Sequence, residues 1–262
     1  MKVTIIGKGL IGGSLEKAAI RVGHEVSISG RAPKPDVGTS DLVFFAVPPN
    51  VVVPLVKALA SEFKPGAVVV DVTGIKSGIC RELEPVARDS QFTFVGGHPM
   101  AGKEKTGYAN STPDLFRGAS MILTPYPNCP EAVLERLSRF LAELGFARII
   151  RTDPRHHDEM IAFTSQLCHL ISSAYVRDGL AKQHVGYSAG SFRDMARVGA
   201  PDPDIWTELF FSNREHLLPA LERYIARLEN FRTALAENDR VRLHADLEEG
   251  VAAKKTFEGG LE

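Results

Sequence analysis

The feature that most restricts what this chain can fold into stands at its start. Val3-Thr4-Ile5-Ile6 is a short β-branched run that reads as a buried strand. Gly7-Lys8-Gly9-Leu10-Ile11-Gly12 follows at once, and residues 14–22 have helical composition. A lone G-x-G-x-x-G says little, but one set between a first strand and a helix predicts a dinucleotide-binding unit. Each glycine has its own reason. Gly7 permits the tight turn, Gly9 lets backbone approach a pyrophosphate, and Gly12 allows close helix packing while the helix N-terminus faces the anion.

Gly23 ends that helix, and Glu25-Val26-Ser27-Ile28 reads as the second strand. An acid at its end would bond the ribose 2′-hydroxyl of NAD, but here stand Ser29-Gly30-Arg31, with no carboxylate until Asp36. A guanidinium and a hydroxyl bind a 2′-phosphate through charge-assisted hydrogen bonds, whereas an acid would repel it. NADP is therefore the expected cofactor, with NAD possible. The expected contacts are Gly7, Gly9, Leu10, Ile11, Gly12, Ser29 and Arg31, then Ala46, Val47 and Pro48 at the end of the next strand, and Thr73 after the one beyond.

Only ten residues separate Arg31 from the strand predicted at 42–47, too few for a crossover helix with its loops. A helix follows over 51–63, then a buried strand over 67–72, with Thr73-Gly74-Ile75-Lys76 at its carboxyl end, where open α/β sheets bind ligands. Further patterning predicts a helix over 79–88, a strand at 92–95, and strands at 120–124 and 147–150 flanking a helix over 130–144. From Asp153 onward strand signals vanish. A helix is expected from His157 to about Leu180, then a glycine-rich polar stretch over 186–203. One or two helices over 203–235 with a break near Pro219, a charged helix over 237–255 and a fraying tail at 259–262 complete the chain. The expected fold is an α/β Rossmann-type N-terminal domain, residues 1–151, followed by an all-helical C-terminal dimerisation domain, residues 152–262. Large apolar helix faces in the second part point to a homodimer.

Composition excludes several classes. Of 262 residues, 44% are hydrophobic and 24% charged, with a formal charge of −1 and no basic run, which argues against nucleic acid as a partner. No apolar run approaches the length of a membrane span, so no membrane partner is expected. Cys80, Cys129 and Cys168 are odd in number and widely spaced, forming neither a disulfide framework nor a metal pattern. A cytoplasmic location and no bound metal follow as expectations.

The segment Val95-Gly96-Gly97-His98-Pro99-Met100-Ala101-Gly102-Lys103-Glu104-Lys105-Thr106-Gly107 holds four glycines and a proline, which predicts an irregular loop leaving a strand. A single imidazole, His98, sits in it. Beside a nicotinamide, such a group can take a hydroxyl proton as hydride leaves the same carbon, because it titrates near neutral pH.

GGHPMAGKEKTG, together with GSFRDMARVGAPDPDIW and the N-terminal GKGLIGGSL, resembles the prephenate and arogenate dehydrogenase family of tyrosine biosynthesis. The resemblance runs over nearly the whole chain. It implies oxidative decarboxylation of a cyclohexadienol substrate: prephenate to 4-hydroxyphenylpyruvate, or, alternatively, arogenate directly to tyrosine. It also implies that His98 bonds the ring 4-hydroxyl and takes its proton, and that Arg197, in Asp194-Met195-Ala196-Arg197, grips a substrate carboxylate. The plain alternative for Arg197 is a surface ion pair with Asp194. Glu104 corresponds to a family Glu that sets the charge and geometry of the site, and Trp206 to a family Trp that can also be simple packing.

The chain departs from that pattern at two places. Gly74 stands where the family often has a Ser, leaving Thr73 as the neighbouring hydroxyl. In Ser165-Gln166-Leu167-Cys168-His169, His169 matches the second histidine of a Ser-His-x-x-His pattern and Gln166 replaces the first. Gln166, His169, Thr73, Arg197 and Glu104 are therefore the expected substrate contacts, with prephenate against arogenate left open. Two other readings compete: a β-hydroxyacid-type dehydrogenase with Lys76 as its catalytic lysine, and a non-catalytic NADP sensor.

Overall fold

The computed structural model describes residues 1–30, 35–103 and 105–257. Arg31, Glu104 and the tail at 259–262 lie outside the described residues. The first strand, β1 (Lys2–Ile6), is buried from Val3 onward because both faces of the sheet are covered. It is followed by α1 (Leu10–Arg21), β2 (Glu25–Ser29), β3 (Leu42–Phe45), α2 (Pro49–Leu59), β4 (Val68–Asp71) and α3 (Ser77–Arg88). Next come β5 (Thr93–Pro99), β6 (Ser120–Pro125), α4 (Glu131–Glu143) and β7 (Arg148–Arg151).

These strands form one sheet in the order β2-β1-β3-β4-β5-β6-β7, parallel except for the antiparallel β5–β6 pair. Alternation of side chains along each strand divides the core in two. Val3, Ile5, Leu42, Phe44, Val68 and Val70 pack on one side with Leu15 of α1 and Leu137 of α4. Val43, Phe45, Val69 and Phe94 pack on the other with Val52 of α2 and Leu83 of α3. The strand order reverses direction between β1 and β3, and a crevice for a ligand opens at the carboxyl ends of strands at such a switch point.

The segment around His98 is not the irregular loop expected from its composition. Gly96, Gly97, His98 and Pro99 are strand residues of β5, with His98 opposite Ile122 of β6. The glycines are there for packing rather than for flexibility. A Cβ at Gly96 would lie 2.2 Å from Thr124 Oγ1, and one at Gly97 would lie 2.8 Å from the Asp71 carbonyl oxygen.

After the sheet, the helix expected from His157 onward is interrupted. α5 (Pro154–Ile161) passes through a π-helical stretch, Ala162–Leu167, into α6 (Cys168–Tyr175). The stretch expected to be merely polar contains α7 (Gly190–Ala196), and α8 (Pro203–Ser212) follows. The expected break near Pro219 falls instead at Asn213. α9 (Arg214–Ala236) runs through Pro219, and α10 (Arg240–Phe257) closes the described chain. Asn213 is buried, and its side-chain amide donates to the Asp158 carbonyl and to Gln166 Oε1, both at 2.8 Å. Those two bonds fix Asn213 at the end of α8.

By compactness the chain divides into residues 1–213 and 214–262. Asp158 and Asn213 tie α5–α8 to the Rossmann part, which explains why 152–213 groups with the sheet. The second unit is a pair of helices, α9 and α10. Among the described residues no helix is long and apolar enough to cross a membrane, and no cluster of metal-ligating side chains occurs.

Candidate active site

The dinucleotide cradle forms where β1 gives way to α1. Gly7 has φ +120°, and a Cβ there would strike the Ala46 carbonyl at 2.1 Å. At Gly12 a Cβ would lie 1.9 Å from the Gly7 carbonyl oxygen, whereas at Gly9 it would meet nothing within 4 Å. The turn is thus packed tightly on its inner side and open over Gly9, the shape a pyrophosphate requires. Helix α1 has no side-chain cap, so the backbone N–H groups at Leu10 and Ile11 are left for an anion. Ala46, Val47 and Pro48 follow β3 on the other side of the switch point. Ser29 Oγ, at the end of β2, is buried with no hydrogen-bond partner among the described residues, and a ribose hydroxyl or 2′-phosphate would satisfy it. These residues fit a nicotinamide dinucleotide.

The tight contact predicts that Gly12→Ala forces the turn apart. The expected cost is about 1–3 kcal/mol, a Tm drop of roughly 3–12 °C, with NADP affinity lost in calorimetric titration. Unchanged affinity and Tm would mean the cradle tolerates a Cβ there.

His98 lies on β5 at the sheet's carboxyl edge, half-buried, with Nδ1 2.9 Å from His157 Nε2. Its Nε2 has no hydrogen-bond partner among the described residues. That nitrogen faces the end of β4: a Cβ at Gly74 would lie 3.8 Å from it and 3.6 Å from Leu209 Cδ2 of α8. Burial, reinforced by His157 and the Lys76 ammonium, holds His98 well below the usual imidazole value, against an upward pull from Asp158. The ring is neutral at physiological pH.

Behind it, His157 Nδ1 lies 2.7 Å from Asp158 Oδ1. Asp158 also accepts the backbone N–H of Lys76 at 2.8 Å and of Ser77 at 2.7 Å, serving as the cap that α3 otherwise lacks. Burial would raise the Asp158 pKa, but hydrogen bonds from His157 and Ser77 hold it below the usual carboxylate range. Sequence reasoning placed His157 at a helix start and assigned neither residue a role. The only signal was an adjacent His-Asp pair on the inward face of the first helix after the sheet.

Thr73 does not supply the hydroxyl missing at Gly74. Its Oγ1 is buried, 2.7 Å from Asp71 Oδ2 and 2.9 Å from the Ile75 carbonyl, and accepts from Lys76 Nζ at 3.2 Å. Lys76 is fully buried and paired with Asp71, so its ammonium is not offered to a substrate as a β-hydroxyacid dehydrogenase would require. Gln166 lies in the π-helical stretch with its amide turned inward. Nε2 donates to the Leu209 carbonyl at 3.2 Å, and Oε1 accepts from Asn213. Gln166 thus bridges helices, and the sequence-based expectation of a substrate-reading amide has to be revised to that role.

His169, one turn beyond, stacks on Trp206 with ring centroids 3.7 Å apart, and its Nδ1 bonds the Ser165 carbonyl at 3.0 Å. Burial lowers its pKa; the Ser165 carbonyl opposes this, and the nearby Arg197 charge adds to it. Arg197 follows α7, whose end is pinned by Ser172 Oγ donating to the Met195 carbonyl at 2.6 Å. It is exposed and makes no ion pair with Asp194 or any other described carboxylate. His169, Trp206 and Arg197 therefore form one cluster, with an unpaired guanidinium facing outward.

Comparison with known proteins gives this geometry relatives. The family model "Prephenate dehydrogenase, nucleotide-binding domain" matches residues 2–151, and "Prephenate dehydrogenase, dimerization domain" matches residues 153–249. A cyclohexadienyl dehydrogenase of Zymomonas mobilis is 30% identical over 90% of this chain and 89% of its own length. The crystal structure of Synechocystis arogenate dehydrogenase superposes with a TM-score of 0.81 at 28% identity, covering 98% of this chain and all of that one. A prephenate dehydrogenase from A. aeolicus, solved with hydroxyphenyl propionate and NAD+, gives 0.80 at 25% identity over 98% of each chain. With the glycine cradle, the strand-borne histidine and the arginine cluster all in place, and both family models matched end to end, the chain belongs to the prephenate dehydrogenase family.

Proposed function

We propose that this protein carries out the oxidative decarboxylation of prephenate to 4-hydroxyphenylpyruvate, with His98 as the base and NADP preferred over NAD. The observation that carries the reading is a neutral His98 whose Nε2 is unbonded at the carboxyl edge of a sheet bearing a dinucleotide cradle. Gly7, Gly9, Leu10, Ile11 and Gly12 would hold the pyrophosphate, Ser29 and Arg31 the adenosine ribose, and Ala46, Val47, Pro48 and Thr73 the far side of the cofactor. When bound, the nicotinamide supplies the hydride acceptor. His98 takes the proton of the ring 4-hydroxyl, so that the carbon beneath it becomes a ketone. The resulting vinylogous β-keto acid loses its ring carboxylate as carbon dioxide, and the bonding pair released makes the ring aromatic. Arg197 grips a substrate carboxylate, with His169 beside it and Glu104 setting the charge of the site.

Arogenate is the second reading, supported by the likeness to Synechocystis arogenate dehydrogenase. Initial rates with prephenate and arogenate, each with NAD and NADP, separate these readings. Higher kcat/KM for prephenate with NADP supports the first, and a clear NAD preference overturns the cofactor assignment. Arg31→Ala should raise the KM for NADP about 10–100-fold, the worth of one charged hydrogen-bonded contact, and change that for NAD little.

The functional modules we assign are residues 1–151 and 152–262, supported by family matches that meet at 151 and 153. The protein acts as a homodimer through its helical part. Supporting this are the dimerization-domain match and exposed apolar side chains on α9 and α10, Ile225, Leu228, Val241 and Val251 among them. Light scattering should give twice the chain mass of 28.5 kDa, and a monomer at micromolar concentration would refute it. Three unpaired cysteines support a cytoplasmic setting.

A further inference from the structure

We infer that His157 and Asp158 act on His98 as a positioning pair, fixing which of its ring nitrogens carries the lone pair. The inference rests on the reading of His98 as base and adds how it is kept in working form. The proton allotment can be followed outward from Asp158. An ionised carboxylate only accepts, and Asp158 accepts from the backbone N–H groups of Lys76 and Ser77 and from the His157 ring. His157 therefore carries a proton on Nδ1; in the neutral ring that this pairing requires, Nε2 bears the lone pair, whereas a cationic ring would donate from Nε2 to His98 and reverse the assignment. That lone pair lies 2.9 Å from His98 Nδ1, so the proton in this contact belongs to His98. A neutral imidazole has one N–H, and with it on Nδ1 the lone pair of His98 is on Nε2. This is the nitrogen facing Gly74, where no group of the described residues bonds it.

The arrangement also accounts for the glycine at position 74. A hydroxyl there would orient His98 from the reacting side, whereas here the ring is oriented from behind through Nδ1. Asp158 is itself held at several points: it caps α3 through its carboxylate, and its main-chain carbonyl accepts from Asn213. Once His98 gains a proton on Nε2, its Nδ1–H still points at His157, and the Asp158 carboxylate beyond offsets the new charge. The titratable and charged groups facing His98 are His157 and Asp158 from α5 and Lys76 ahead of α3, the last paired with Asp71 of β4.

The test compares His157→Leu with His157→Gln in the full-length protein. Leucine removes the acceptor, while the Gln amide oxygen can take the place of Nε2 and accept from His98 Nδ1. His157→Leu should lower kcat by about 10–100-fold, as losing an orienting partner does, with KM for the substrate changed by less than about threefold. His157→Gln should recover most of that loss. Nitrogen-15 spectra of histidine-labelled protein, assigned against His98→Asn, should show His98 protonated on Nδ1 and bare on Nε2 in the natural protein, and a mixture of tautomers in His157→Leu. A natural-protein spectrum with the proton on Nε2, or a His157→Leu variant with unaltered kcat and tautomer, overturns the inference. Should the leucine variant fail to fold, the natural spectrum and the glutamine variant still decide. Failure of the catalytic reading would look different: no turnover of either cyclohexadienol by the natural protein, with the Nδ1–H tautomer still present.

Discussion

His98→Asn is expected to lower kcat by about 10²–10⁴-fold, the usual contribution of a positioned general base, while NADP binds as before. Asparagine fills similar space and can still hydrogen-bond a hydroxyl, so substrate binding is largely kept. What disappears is a group able to hold the proton. Because His98 is held below the usual imidazole value, the rate should be flat near neutrality and fall only on an acid limb well below pH 6.5. The same depression has a stability consequence with a definite sign. Above about pH 6.5 the ring is neutral in both folded and unfolded chains and contributes nothing. As pH falls from there towards the folded value, the unfolded chain takes a proton the folded site refuses, and stability is lost. Denaturant titrations at pH 7.5 and 5.5 in natural and His98→Asn proteins should show a smaller decline in the variant; an equal decline would mean His98 does not resist protonation in the folded chain.

Arg197→Ala should act on KM rather than kcat, losing about 2–4 kcal/mol of charge-paired binding, or roughly a 30–900-fold rise. The guanidinium stands near His169 and Trp206 with no described carboxylate to neutralise it, so it is available to an incoming anion. Arg197→Lys should recover only part of the loss, because an ammonium lacks the planar fork that meets a carboxylate at two points. A KM unchanged in Arg197→Ala would remove this residue from substrate binding.

How far the site could be read beforehand depended on how local its causes are. The cradle was legible because strand, glycine turn and helix are contiguous, and Gly7 and Gly12 answer to contacts across one strand or a few residues away, while Gly9 leaves the turn open. The extension of β5 through Gly96, Gly97, His98 and Pro99 was hidden for the opposite reason. Gly96 and Gly97 look like loop residues, yet what selects them is Thr124 on one side and Asp71 on the other, neither visible from the segment itself. The break falls at Asn213, which bonds Asp158 and Gln166, and not at the nearby Pro219. Arg197 and His169 were found from motif spacing, but the nearness of the Arg197 charge to His169, the stacking of His169 on Trp206 and the pinning of α7 by Ser172 needed the packed helices. The His157–Asp158 pair was missed because its meaning depends on His98, 59 positions away.

The central claim is that this chain couples hydride removal to loss of carbon dioxide, with His98 taking the proton. The most direct measurement is the stoichiometry of a single reaction: carbon dioxide released and NADPH formed per prephenate consumed, with natural protein and His98→Asn side by side. One of each per substrate in the natural protein, and almost none in the variant at equal NADP occupancy, is the predicted result. Cofactor binding without turnover of prephenate or arogenate, or reduced cofactor formed without carbon dioxide, would contradict it.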